Sequence, residues 1–236
     1  MTSEILEKVR ALLAHGETPN ISSEEADSYI TKAQALMMKY SLDELLVRDR
    51  PTDNIVTVEW FIPQPYANAK AQGYYQIVTL FDCRMVQSGR LSIKYNQPGL
   101  AVWTTGYESD ISQLVMLLAS LSIQCTNAML NTPVTGEAKS FRVGFIQGYF
   151  THIQAVLREQ RTRTQKEVDP TGNLLPILRD RKVAVDDAFR DRWPSLGHAR
   201  IGAGSSAGFG AGHAAARSAD INGPKLTSQR ALGRGN

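Results

Sequence analysis

The run Ile201-Gly202-Ala203-Gly204-Ser205-Ser206-Ala207-Gly208 has the glycine spacing of a dinucleotide-binding turn. Such a turn works because glycines let backbone N–H groups approach a pyrophosphate at a helix N-terminus. The chemistry needs a buried strand before the turn, a second strand after the helix, and an acid about 20 residues on. Here Pro194-Ser195-Leu196-Gly197-His198-Ala199-Arg200 precedes it, which is no hydrophobic strand, and no strand pattern follows. The expectation is a small-residue helix or a flexible segment, without a nucleotide cofactor. Ala207, Ala211, Ala214 and Ala215 would let such a helix pack closely on a neighbour.

The four histidines are His15, His152, His198 and His213. None has the i, i+4 or clustered spacing that a zinc site would use. His152 falls beside the apolar stripe of a long helix and reads as a boundary residue. Glu24-Glu25 reads as capping at a positive helix end. Asp43-Glu44 and Asp186-Asp187 read as exposed faces or helix starts, and Glu108 and Asp110 as helix-start acids. A metal-dependent nuclease would want carboxylates converging from strand ends beside a lysine. Only Asp82 and Lys94 approach that pattern, and two residues are too few. No glycine loop ends in Lys-Ser or Lys-Thr, so phosphate-loop chemistry is unsupported. No metal and no cofactor is expected. Cys83 and Cys125 lack metal spacing and fall in apolar patterns. Both read as core thiols, free in a reducing, intracellular compartment.

The residues best suited to bind something are basic. Residues 1–157 carry 12 Lys/Arg against 15 Asp/Glu, a net of −3; residues 158–236 carry 14 against 8, a net of +6. Arg158, Arg161, Arg163 and Lys166 follow at helical spacing, then Arg179, Arg181 and Lys182, then Arg217, Lys225, Arg230 and Arg234. Phosphate contacts need only such positive charges and no base readout. Glu159, Glu167, Asp169 and Asp180 interleave with them and offer intrahelical partners.

The elements that must position these groups follow from periodicity. The chain has 236 residues, 42 % of them hydrophobic and 21 % charged, enough for a real core. Residues 3–14 predict a helix with Ile5, Val9, Leu12 and Leu13 on one face. Ser22 and Glu25 form a capping box for a second helix, striped by Ala26, Tyr29, Ile30, Ala33, Met37 and Tyr40. Two short helices cannot bury both stripes alone, so this unit must pack on the rest of the chain or on a partner. Residues 48–54 read as a linker. Residues 55–62 alternate, with Val56, Val58, Trp60 and Ile62 on one face. A helix over 66–80 is expected to be interrupted at Gly73. Three meander strands follow at about 82–87, 91–95 and 100–104, turning at Ser88-Gly89 and at Asn96-Gln97-Pro98-Gly99.

Thr105 and Glu108 predict a capping box for a helix over 108–130, striped by Ile111, Leu114, Val115, Leu118, Leu121 and Cys125. A helix over about 137–166 turns Phe141, Phe145, Tyr149, Ile153 and Val156 inward. A strand at 174–179 and a helix at 183–193 complete an α+β order. From about residue 195 the chain becomes Gly/Ala-rich and then basic. Residues 1–47, 55–194 and 195–236 are the expected hairpin, central domain and arm. No stretch approaches the ~20 apolar residues that cross a bilayer, so no membrane partner is expected. The helix–three strands–helix order has the shape of a double-stranded-RNA-binding module without its signature.

One segment carries a resemblance. Lys8-Val9-Arg10-Ala11-Leu12-Leu13-Ala14, Pro19-Asn20, Glu24-Glu25-Ala26, Lys32-Ala33-Gln34-Ala35-Leu36-Met37, Lys39-Tyr40 and Leu42-Asp43 together resemble domain-of-unknown-function family 2786. Ile21-Ser22-Ser23 departs from the family's more acidic or Asn-rich turn. The Val102-to-Ile111 segment and the basic Gly/Ala-rich C-terminus are also similar to longer members, many of them from bacteriophages and actinobacteria. The resemblance implies no activity, cofactor or catalytic residue.

The sequence thus predicts an α+β protein. An N-terminal helical hairpin packs on a central antiparallel meander covered by helices, with an extended basic C-terminal arm. Its expected role is that of a non-catalytic phage or bacterial accessory protein contacting nucleic acid in the host cytoplasm. The alternative is a virion or assembly protein whose arm docks onto neighbouring subunits, with a protein partner or a homo-oligomer in place of nucleic acid.

Overall fold

The computed structural model describes residues 54–94, 97–169, 171–172, 174–197 and 202–217, with single positions 11 and 36. The expected N-terminal hairpin and the tail beyond Arg217 lie outside the described residues.

Strand β1 (Ile55–Pro63) forms from the alternation seen in the sequence, with Thr57 and Glu59 exposed and Ile62 buried. It pairs antiparallel with β4 (Gln97–Tyr107), from Ile55 opposite Tyr107 to Pro63 opposite Gly99. Strands β2 (Arg84–Gln87) and β3 (Ser92–Lys94) share the other edge of β4, end to end. The strand order is therefore β1-β4-β2, with β3 also on β4, and not a meander. Ser88-Gly89 is not the expected hairpin turn. The Ser88 N–H still donates to the Ala101 carbonyl at 2.8 Å, and pairing resumes at Ser92. Residues 88–91 thus stand opposite only 100 and 101, an enlarged bulge in one interrupted strand.

Gln97, Pro98 and Gly99 belong to β4 rather than to a turn. Pro98 sits near the strand start, where a missing N–H costs little. A Cβ at Gly99 would come within 2.5 Å of the Phe61 ring and of the Ile62 carbonyl oxygen. The Pro-Gly pair therefore answers to close cross-strand packing.

Helix α1 (Ala67–Val78) runs unbroken through Gly73. A Cβ there would meet the Phe150 ring at 2.4 Å, so the glycine admits a neighbouring aromatic instead of ending the helix. Helix α2 (Glu108–Leu130) has the expected span but not the expected cap. Thr105 lies in β4, and its hydroxyl meets that of Thr57 at 2.8 Å. Glu108 and Asp110 in the first turn favour the positive helix end instead. Ile111, Leu114, Leu118, Leu121, Cys125 and Met129 are buried, whereas Val115 is 43 % exposed. By length and composition α2 could cross a membrane, which corrects the reading that no stretch comes near. Neutral Ser, Gln, Thr and Asn spaced through it hide the run.

Helix α3 (Ala138–Val168) is capped by Glu137, whose carboxylate accepts from the Lys139 and Ser140 N–H groups. Those bonds hold the Glu137 carboxyl below its usual range. Phe141, Phe145, Tyr149 and Ile153 fill the core as expected, joined by Ile146, Phe150 and Leu157. Helix α4 (Leu174–Arg192) replaces the strand expected at 174–179. Pro176 falls in its first turn, where no backbone donor is needed. Helix α5 (Ser206–Ala216) has its first turn capped by the Ser205 side chain, which accepts from Gly208 N–H.

Val58, Trp60 and Ile62 of β1, Met85 of β2, and Leu100, Val102 and Thr104 of β4 share one sheet face by register. Helix α1 packs on that face, α3 on α1, and α5 on α3. The opposite face presents Arg84, Trp103 and Tyr107 to α4. The result is an α+β fold with one antiparallel sheet and five helices among the described residues.

Candidate functional site

The basic residues divide into two groups. Arg161 of α3 ion-pairs with Asp82, and Arg181 of α4 donates to Asp110 at 2.9 Å while its guanidinium lies 3.5 Å over the Tyr107 ring. Their side chains are largely sequestered. Arg158, Arg163, Lys166, Arg179, Lys182 and Arg217 are exposed. Arg163 reaches Glu159 at 3.7 Å, one turn away. Exposed i, i+4 pairs contribute only about 0.3–0.5 kcal/mol, so a phosphate can compete for Arg163. Lys225, Arg230 and Arg234 lie outside the described residues.

Arg161 and Arg181 belong to a charged junction around Cys83. Asp82 and Arg84 flank the thiol in sequence, and Arg84 pairs with Asp186 of α4 at 2.5 Å. The junction joins the β2 start, the β4 end, the first turn of α2, distal α3 and mid α4. It fixes α3 and α4 relative to the sheet through three ion pairs. Trp103 and Trp193 extend the α4 contact, with ring centroids 5.5 Å apart.

Asp82 and Asp186 are therefore committed to arginines rather than open to a metal. Asp187 is an exposed helix-surface acid beside Arg190, at 3.1 Å. Among the described residues no group of three or more His, Cys, Asp or Glu could hold a metal ion. Cys83 and Cys125 are buried and free, as expected of core thiols. Burial pushes each thiol up to about 12. Neither is a thiolate at neutral pH, and neither can act as an activated nucleophile.

The glycine run serves packing. Gly204 N–H donates to the Gln147 side chain at 3.3 Å, and Ser205 N–H to the Ser140 carbonyl at 2.9 Å. The Gln147 amide also donates to the Gly202 carbonyl at 2.8 Å and to Gln72 at 3.0 Å. Gly144 and Gly148 of α3 face Gly204, Gly208 and Gly212 so closely that a Cβ at any of them would come within 2.4 Å of backbone. The two backbones touch through these positions.

This docking unites His152 of α3 and His213 of α5, with ring centroids 4.6 Å apart. Burial, then His213, then Arg217 push the His152 pKa down. Sequence spacing hides the pair, because only the packing of α5 closes the gap between the two histidines. The paired glycines four residues apart at 144/148 and 208/212 were the available signal.

A recess near α1, lined by Lys70, Tyr74, Ser122, Cys125 and Met129, leaves essentially no room for even one water molecule. Ligand sites are usually about 300–1,000 Å³. Burial lowers the Lys70 pKa and raises that of Tyr74 to about 12. Both shifts are desolvation effects at the edge of a core.

Residues 4–44 match the model of a family described as "Protein of unknown function (DUF2786)". The match bears out the resemblance seen in the sequence and falls on residues outside the described sheet domain. No curated protein and no solved structure matches the chain.

Proposed function

We propose that this is a non-catalytic phage or bacterial accessory protein that contacts nucleic acid in the host cytoplasm. The contact surface is formed by the exposed cations of distal α3, of α4, and of the chain from Arg217 onward. One observation carries this reading: the basic residues are split by role. Arg161 and Arg181 are consumed in ion pairs that set the helices, while Arg158, Arg163, Lys166, Arg179 and Lys182 on the same helices face water. Rigid helices that carry outward cations make phosphate contacts without base readout. The charged groups nearest to a catalytic cluster instead neutralise one another, which favours a binding role over an enzymatic one.

The experiment is a gel shift or filter-binding assay on duplex and single-stranded nucleic acid at two salt concentrations. The expected result is binding that weakens steeply as salt rises, because counterions compete for the phosphates. No binding, or binding indifferent to salt, would overturn the proposal.

A further inference from the structure

Helix α2 buries one side and leaves the other bare. Val115, Met116, Ile123 and Leu130 are 43, 59, 62 and 61 % exposed. Ala119, Ser112 and Asn127 join them on the same face at helical spacing. From Ile111 to Gly136 there is no Asp, Glu, Lys or Arg. An uncharged, mostly apolar face of this kind marks a place where something docks.

We infer that the occupant is the N-terminal segment of the same chain, residues 3–47. The first described residue after that segment, Asn54, sits at the start of α2. The Asn54 carbonyl accepts from Glu108 N–H at 3.0 Å, so the chain arrives at the first turn of α2. The linker is also long enough. The six residues 48–53 span at most about 25 Å between positions 47 and 54. Along α2, Met116 lies about 12 Å and Ile123 about 22 Å from Glu108, at 1.5 Å per residue. Both fall within the linker's range.

The chemistry of the two surfaces matches as well. The segment carries two apolar stripes, Ile5/Val9/Leu12/Leu13 and Ala26/Tyr29/Ile30/Ala33/Met37/Tyr40. A two-helix unit cannot bury both stripes within itself. The apolar surface left over once the hairpin closes can cover α2. A helix over 22–40 would measure about 28 Å, close to the length of α2 at about 34 Å. The face holds no charge to oppose an apolar stripe and none to attract a charged partner.

The test is made on the full chain. A photoreactive benzophenone side chain is installed at Met116 or at Ile123, both exposed, and the cross-linked peptides are identified. Cross-links within one chain to peptides from residues 3–47 are expected. Cross-links to a second copy, to lipid, or to no protein segment would overturn the inference. Hydrogen exchange on Ile123→Asp gives a second readout. Amides in 22–40 should exchange about tenfold faster, a shift equivalent to about 1.4 kcal/mol, while α1 and α3 keep their protection. Unchanged exchange over 22–40 would contradict the docking.

Discussion

Gly148 of α3 lies directly beneath the backbone of Phe209 of α5, so that a Cβ built on Gly148 would stand 2.0 Å from the Phe209 carbonyl oxygen. Backbone cannot move aside as the end of a flexible side chain can. The α3–α5 contact therefore depends on the absence of side chains at Gly148 and, reciprocally, at Gly212, where a Cβ would meet the Phe145 oxygen at 1.9 Å. Gly210 is the internal control, with open space around it.

Gly148→Ala and Gly212→Ala should each destabilise the protein by about 1–3 kcal/mol, the usual cost of overpacking. Gly210→Ala should stabilise it by about 0.5–1 kcal/mol through helix propensity alone. Urea denaturation midpoints check all three. Equal effects at positions 210 and 212 would contradict the close packing.

Acid should loosen the same contact. His152 has a folded-state pKa below its ordinary 6.5, because of burial, then His213, then Arg217. A base with a depressed folded pKa is neutral in the fold but takes up its proton near 6.5 once unfolded. Its contribution is intact above pH 6.5 and is lost progressively as pH falls toward the lowered folded value. Between about pH 7.5 and pH 5.5, where an ordinary histidine titrates, wild-type stability should fall more than that of His152→Gln. Parallel pH curves for the two would contradict this.

The two classes of arginine should separate by mutation. Arg181→Ala removes one partner of Asp110 and the cation over Tyr107 at a half-buried site. The destabilisation should be about 1.5–3 kcal/mol, the usual contribution of a hydrogen bond between charged groups. Lys182→Ala, one residue away and exposed, should stay within about 0.5 kcal/mol of wild type. Thermal unfolding of the pair is sufficient to tell them apart.

Both thiols should be silent in the native state. Cys83 and Cys125 are buried, with pKa values pushed up to about 12. A thiol-reactive disulfide reagent at neutral pH should label neither in buffer and both in denaturant. Rapid labelling of the folded protein would show that one of them is accessible.

Much of the fold was legible in the sequence wherever one period dominated. β1, α2 and α3 follow from alternation at 55–62 and from long 3.6-residue stripes. Local signals misled where a tertiary contact overrode a residue's usual meaning. Gly73 reads as a helix break but admits Phe150, and Pro98-Gly99 reads as a turn but is a strand packed on Phe61. Pro176 obscured a helix because its position in the first turn could not be known without the boundary. The Thr105 cap was wrong because the strand runs three residues past its expected end at 104, to Tyr107. At the candidate site, the sequence identified the basic residues but not their division. Nothing local distinguishes Arg161, held by Asp82, from Arg163, which faces water; the difference is set by which face of α3 meets the sheet edge.

If outward cations on α3 and α4 meet phosphates, binding must carry their signature in salt. The most direct measurement is the salt dependence of duplex DNA binding by wild type and by the triple variant Arg158→Gln/Arg163→Gln/Lys166→Gln. Each phosphate that is no longer neutralised should lower the slope of log affinity against log salt by about 0.9. Weaker binding is expected, with a slope reduced by up to about 2.7 for the three substitutions and the fold unchanged. An identical slope and affinity in the triple variant would contradict phosphate binding by these helices.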